Sequence, residues 1–350
     1  MDSTTQYMLA LLRASLNETT PNLPTIDTGE WERIYWLARK HGVVTMVNDA
    51  IEKLPSEQQP QGDIALSWTL SAERTRYHYA HQTEVLQAID QKARAENLPY
   101  ILLKGMTLAK LYPRPDSRPC GDIDICFPHN FERGNALLGD SNPHLDGKHA
   151  EIAIDGVPVE NHKQLLDLNF KSQKKAEAYI WNTLSTPSDD HTLCPMANMV
   201  YLLMHTVCHL TAKYKLALRN VLDWGLFLRA NQESLNPDEC HSVMKQIGMD
   251  NAFNMLTYLS AEFIGSDLSE FINGNLRQRD IDRMRELILS KQYFEAVPQN
   301  LPLFQYLITR FKRNSQRRWL YRYLPASPSE RLRNIIFNFS KNKHTIIIIT

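Results

Sequence analysis

Two aspartates one residue apart, Asp122 and Asp124, are the part of this sequence with the clearest chemical potential. They lie in a Gly-Asp-Ile-Asp-Ile run in which Ile123, Ile125 and Phe127 alternate with Asp124 and Cys126. Such alternation predicts a strand over Ile123 to Phe127, and its period of two turns both aspartates to one face. Side by side, two carboxylates repel, which raises the pKa of at least one unless a cation sits between them. A hard divalent cation resolves the repulsion and accepts phosphate oxygens as well. The same pattern also occurs at solvated strand ends, so its surroundings decide what it is worth.

Upstream, Pro99 to Leu103 is a short apolar run bounded by proline and Gly105, which predicts a buried strand. Lys104 and Gly105 then make the turn into a helix over Met106 to Tyr112, stopped by Pro113 and Pro115. Glycine at a strand-to-helix turn lets backbone N–H groups approach phosphate, and the helix N-terminus adds partial positive charge. Lys104 and Arg118 would add side-chain charge to the same anion, and Gly121 directly precedes the aspartates. Downstream, strands are expected at Glu151 to Asp155 and Val157 to Asn161, joined at Gly156 as a tight hairpin, with Val157, Val159 and Asn161 facing away from Glu160.

The string from Leu102 to Phe127, with its Leu-Lys-Gly, Tyr112-Pro113, Arg118 and Gly-Asp-Ile-Asp-Ile, resembles the poorly characterised bacterial nucleotidyltransferases of the polymerase-β superfamily. Ala38, His41, Gly42 and Val43 are similar to that family's N-terminal region, and His205 through Asp223 to its C-terminal helical part. The resemblance implies a compact mixed sheet with helices and two magnesium or manganese ions. It also implies in-line attack on the α-phosphorus of a nucleoside triphosphate such as ATP, with loss of pyrophosphate. Carried over by position, Asp122 and Asp124 are metal ligands. The third carboxylate falls best on Glu160, within Val159 to His162, while Asp155 and Glu151 compete because a hairpin's register is open at this stage. Lys104 and Gly105 stand where most of the superfamily has glycine and serine, which implies a variant phosphate grip.

Other residues carry weaker signals. His205 and His209 share a helical face beside Cys208, a spacing that can bind zinc, although core or hydrogen-bonding roles explain it as well. Arg219 and Asp223 stand four apart, which predicts an intrahelical ion pair, and the resemblance alternatively puts Arg219 on a phosphate. His162 is a proton carrier or a strand end. Arg310 to Arg322 interleaves arginine and lysine with Phe311, Trp319 and Tyr321. That could grip a nucleic-acid backbone, yet the zero net charge favours arginines snorkelling over packed aromatics.

The elements that must position these residues are mostly helical. Asp27 or Thr28 can cap a helix with Trp31, Ile34, Leu37 and Ala38 on one face and Gly42 at its end. A polar loop from Pro55 to Gly62 precedes a second helix from about Ile64 to Glu96, with room for an interruption. From Pro195 onward apolar residues recur at helical spacing, notably over Met196 to Leu210 and Leu216 to Leu228. The expectation is an α+β chain, predominantly helical, divided into an N-terminal helical region (1–96), a nucleotidyltransferase core with a small mixed sheet (97–194) and a C-terminal helical domain (195–350).

Composition bounds the partners. The 39 basic residues balance 39 acidic ones, so no global field draws the protein to nucleic acid or anionic membrane. Five cysteines without a CxxC pair fit reduced thiols, and the apolar Met8 to Leu12 is too short for a signal segment, which points to the cytoplasm. Ile346 to Ile349 is likewise too short to span a bilayer, and reads as an edge strand or a tail. The expected partners are a nucleoside triphosphate and a hydroxyl acceptor on a small molecule, a protein or an RNA end. The alternative is a non-catalytic module that binds nucleotide or a protein through the same cleft.

Overall fold

The computed structural model describes residues 1–139, 144–184, 191–213, 216–289 and 318–325, with positions 305 and 330 singly. Four helices open the chain: α1 (Ser3–Leu16), α2 (Thr28–His41), α3 (Val44–Ile51) and α4 (Asp63–Ala95). Their ends follow from local chemistry. Asp2 and Asp27 accept hydrogen bonds from the backbone N–H groups of Thr5 and Glu30, and Gly42 closes α2 in the left-handed region at φ 68°. α4 is unbroken over 33 residues, so it spans about 50 Å. Its apolar period lapses between Glu73 and His81, where no residue is buried, because the helix there leaves one core before reaching the next. Ile64 and Trp68 pack with the N-terminal helices, where Trp31 and Tyr35 set their rings edge-on to Trp68. Val85, Ile89 and Ala93 pack beneath the sheet.

The middle of the chain builds that sheet from β1 (Ile101–Leu102), β2 (Ile123–Cys126), β3 (His144–Asp146), β4 (His149–Ile154) and β5 (Val157–His162), in the order β1-β2-β5-β4-β3. β2 and β5 run parallel and the other neighbours antiparallel, so the sheet is mixed, as expected. Between β1 and β2 lie the four-residue α5 (Met106–Ala109) and a 3-10 turn at Pro115–Ser117; α6 (Phe131–Leu137) follows β2. α5 is shorter than Met106 to Tyr112, since the chain turns at Lys110 toward Pro113 and Pro115. The first strand likewise shrinks to Ile101–Leu102, although the Leu103 N–H still donates to the Asp124 carbonyl. Ile123, Ile125, Phe127, Val157 and Val159 fill the core beneath the sheet. The opposite face carries Asp124 and Glu160, which are paired directly across β2 and β5.

Six α-helices follow α6 among the described residues: α7 (Lys171–Thr183), α8 (Pro195–Lys213), α9 (Leu218–Ala230), α10 (Pro237–Ile247), α11 (Asp250–Ile264) and α12 (Gln278–Leu289). One apolar cluster runs through α1 to α4, residues of β1 and β2, and α7 to α12. At Gly225 α9 comes so near α11 that a β-carbon would stand 2.9 Å from the Ser260 Cβ. The N-terminal helices reach the same layer: Arg13 donates to the Glu262 carbonyl, and Asn17 to that of Ile264, closing the end of α11.

All five cysteines are unpaired. Among the described residues no helix is long and apolar enough to cross a membrane. Most of the basic stretch from Arg310 to Arg322, and the whole of Ile346 to Ile349, lie outside the described residues.

Candidate active site

Sheet register assembles the acidic centre. Asp124 on β2 pairs with Glu160 on β5, and Asp122 stands two residues before Asp124 on the same face. One carboxylate oxygen from each of Asp122, Asp124 and Glu160 lies within 4.8 Å of the others. The competitors do not join them. Asp155 sits in the hairpin turn at φ 49°, and Glu151, across β4 from Glu160, has a side chain 60% exposed.

Asp124 is the buried centre of the group, its side chain fully shielded. Its Oδ1 accepts from Lys104 Nζ at 2.9 Å and from His162 Nε2 at 3.0 Å. Burial alone would raise this carboxyl, but the His162 hydrogen bond and the Lys104 charge hold it well below the usual carboxylate range. Asp122 goes the other way: burial and then the Asp124 charge push its carboxyl up. Glu160 is lowered, chiefly by a hydrogen bond from His162. His162 and Lys104 lose to burial less than they gain from these carboxylates, so both are raised. Asp124 Oδ2 is buried without any hydrogen-bond partner. A buried carboxylate oxygen lacking a donor, between two further carboxylates, is an arrangement that a divalent cation satisfies. The donors are all hard oxygens, which fits magnesium or manganese.

A cleft of about 400 Å³ opens beside the carboxylates. It lies between the Lys104–Gly105 turn, the segment from Arg118 to Asp122, and helices α8 and α9. That volume falls in the range of small-ligand sites. Gly105 has φ 67°, where a side chain is strained, and its carbonyl accepts from Arg118 Nη1 at 3.2 Å. Gly121 borders the cleft with open space where a β-carbon would stand. The helix after Gly105 is a single turn, so the expected dipole contribution to an anion is small.

The two arginines beside the cleft have partners that their sequence spacing did not indicate. Arg118 borders the cleft but is turned to an internal partner: its Nε and Nη2 donate to Asp223 at 2.7 and 2.8 Å, and the pair is buried. A phosphate would have to compete with that bidentate bond, while Nη1 donates to the Gly105 carbonyl. Asp223 therefore does not pair with Arg219 along α9. Tyr112 also donates to it, at 2.7 Å. Arg219 bonds the Pro119 carbonyl at 2.8 Å and borders the cleft, with its buried Nε lacking a partner. Among the described residues, Lys104, Arg118 and Arg219 are the lysine and arginine side chains that line the cleft.

His205 and His209 line the same cleft with their Nε2 atoms 3.1 Å apart. Burial, then the Lys104 and His209 charges, depress His205 well below its usual range. Cys208 turns away to accept from Gln173, so the three do not converge on a common point. His149 was not anticipated from sequence; it stands opposite His162 in the β4–β5 register. The signal lay in the Asp155–Gly156 turn, which fixes that register.

A small mixed sheet among helices, with an acidic triad able to bind metal beside a cleft, is the arrangement the chain presents. The chain belongs to the family described as uncharacterised nucleotidyltransferase, whose profile matches residues 27–265. That makes it a transferase of nucleotidyl groups, with a nucleoside triphosphate as the implied substrate. The matched span runs from the cap of α2 to the end of α11, and so holds every residue of the site. No curated protein and no solved structure matches the chain.

Proposed function

We propose that the protein transfers a nucleoside monophosphate from a triphosphate to a hydroxyl acceptor, with release of pyrophosphate. The observation that carries this reading is the convergence of Asp122, Asp124 and Glu160 within 4.8 Å, with Asp124 Oδ2 unpartnered, beside a cleft of ligand size. Asp122, Asp124 and Glu160 would hold magnesium or manganese. Divalent ions bound there supply charge neutralisation for the triphosphate and for the entering and leaving oxygens.

The remaining work falls to the chain's own groups. Lys104 neutralises Asp124 at 2.9 Å and stands ready to turn to phosphate once a cation takes over that carboxylate. Arg219 offers a second positive charge to the departing pyrophosphate across the cleft. Arg118 and Asp223 brace the Gly105 turn so that the backbone beside the phosphates keeps its positive-φ form. His162 orients Asp124 and Glu160 through Nε2. The acceptor is a hydroxyl on a small molecule, a protein or an RNA end.

Labelled triphosphates incubated with the protein, magnesium and a cell extract test the reading. Label transferred to an extract component, with matching pyrophosphate release, is the expected result. Thermal stabilisation by magnesium and triphosphate without release would favour the non-catalytic binding module instead.

A further inference from the structure

The face of the sheet that carries Asp124 continues outward into a second set of ligand atoms. Pairing of β4 with β5 puts His149 opposite His162 and Glu151 opposite Glu160. Atoms of His149, Glu160 and His162 lie within 4.8 Å of one another, and Glu160 is common to this group and the three carboxylates. The histidines are 6% and 4% exposed, with ring centroids 5.2 Å apart. Both ring nitrogens of His149 are buried and lack hydrogen-bond partners. Its Nε2 stands 3.7 Å from Glu160 Oε1 and from Glu151 Oε1, too far for a hydrogen bond. A buried imidazole with neither nitrogen satisfied is costly, unless something not yet bound completes it.

The spacing suits a metal ion. Around a tetrahedral ion with bonds of about 2.0–2.1 Å to nitrogen, neighbouring ligand atoms stand roughly 3.3–3.5 Å apart. His162 Nε2 is 3.3 Å from Glu160 Oε2, and His149 Nε2 is 3.7 Å from Glu160 Oε1. To close the site the Glu160 carboxylate turns so that both imidazoles meet the same ion, and His162 Nε2 releases its hydrogen bond to Asp124, whose Oδ1 keeps Lys104. Two imidazoles and one carboxylate form a borderline donor set, which zinc prefers and magnesium avoids.

We propose that His149, Glu160 and His162 form a second metal site, distinct from the carboxylate site, that takes a borderline divalent ion of the zinc class. Glu160 would link the two. The imidazole-bound ion fixes the carboxylate that the hard-metal site also uses, and sets positive charge behind the acidic cluster. The proposal rests on the magnesium reading of Asp122, Asp124 and Glu160 only in making the two ions neighbours. The site itself stands on the histidines.

The test uses the full chain, stripped with chelator, supplied with zinc in excess magnesium and desalted before metal analysis. Retention of about one zinc per chain is expected in the wild type and in Asp122→Asn. In His149→Ala retention should fall at least about tenfold. Cobalt in place of zinc should give the visible absorption of tetrahedral coordination, lost with the same substitution. Stabilisation by magnesium and ATP should show the reverse pattern, kept in His149→Ala and lost in Asp122→Asn. Should His149→Ala fail to fold, His149→Phe keeps the ring's bulk without its nitrogens and is measured alike. A wild type that retains no zinc, or a His149 variant that retains it fully, overturns the site. Loss of magnesium–ATP stabilisation in the wild type would instead overturn the first reading.

Discussion

Two buried clusters of charge flank the cleft, and they are built to opposite ends. Around Asp223 every demand is met: Arg118 engages both carboxylate oxygens and Tyr112 adds a third donor, with Arg118 also holding the Gly105 carbonyl. Around Asp124 the demands exceed the supply. Lys104 and His162 crowd onto one oxygen, the other has no partner, and Asp122 is driven up by burial and by its neighbour's charge. A closed network gains nothing from a further ion, whereas an open one does. The first therefore belongs to the architecture of the cleft and the second to its contents.

The strongest challenge to this contrast is Asp124→Asn. It should cut pyrophosphate release at least about 100-fold while the fold survives, because asparagine still offers His162 an acceptor. Asp223→Ala should act through stability, by about 3–5 kcal/mol in a denaturant titration, since it strands a buried guanidinium. Activity lost there without any change in stability would erase the distinction between the two clusters. Asp122→Asn sharpens it further. Because the Asp122 carboxyl is raised in the folded protein, its ionised form costs stability above that raised pKa. Removing it should stabilise the metal-free protein at neutral pH, read as a raised melting temperature, while abolishing further stabilisation by magnesium. A metal-free variant less stable than the wild type would show that the carboxylates do not oppose each other. Gly105→Ala should add about 1–3 kcal/mol of backbone strain at φ 67° and ψ −100°, read as a lowered melting temperature.

Much of the acidic centre could be read from the residues themselves, because alternation in β2 and a paired strand are local or nearly local patterns. The helix from Asp27 to Gly42 was equally legible, since its cap and terminating glycine are written into four or five residues. Pairings distant in sequence were not. Nothing near Arg118 announces that Asp223, 105 positions away, will claim it, and the helical spacing of Arg219 and Asp223 suggested a bond that tertiary contact replaces. α3 is hard to read because, although Thr45, Asn48 and Asp49 recur at helical spacing, its eight residues make barely two turns, too few to establish a period. The choice among Glu160, Glu151 and Asp155 was open only while the register was treated as free. Asp155 and Gly156 both take positive φ, at 49° and 80°, as a two-residue type I′ turn requires. An Asp-Gly pair carries that signal in the sequence.

That turn governs the site from its far end. β5 is held on its other edge by β2, so Glu160 stays beside Asp124 whatever β4 does, while β4 is held in place by the turn and by the buried pair Ile152 and Val159. A β4 register one residue off would turn His149 to the apolar underside of the sheet while the three carboxylates stayed put. The two-residue turn thus keeps the imidazoles on the side of the acids without itself touching a ligand.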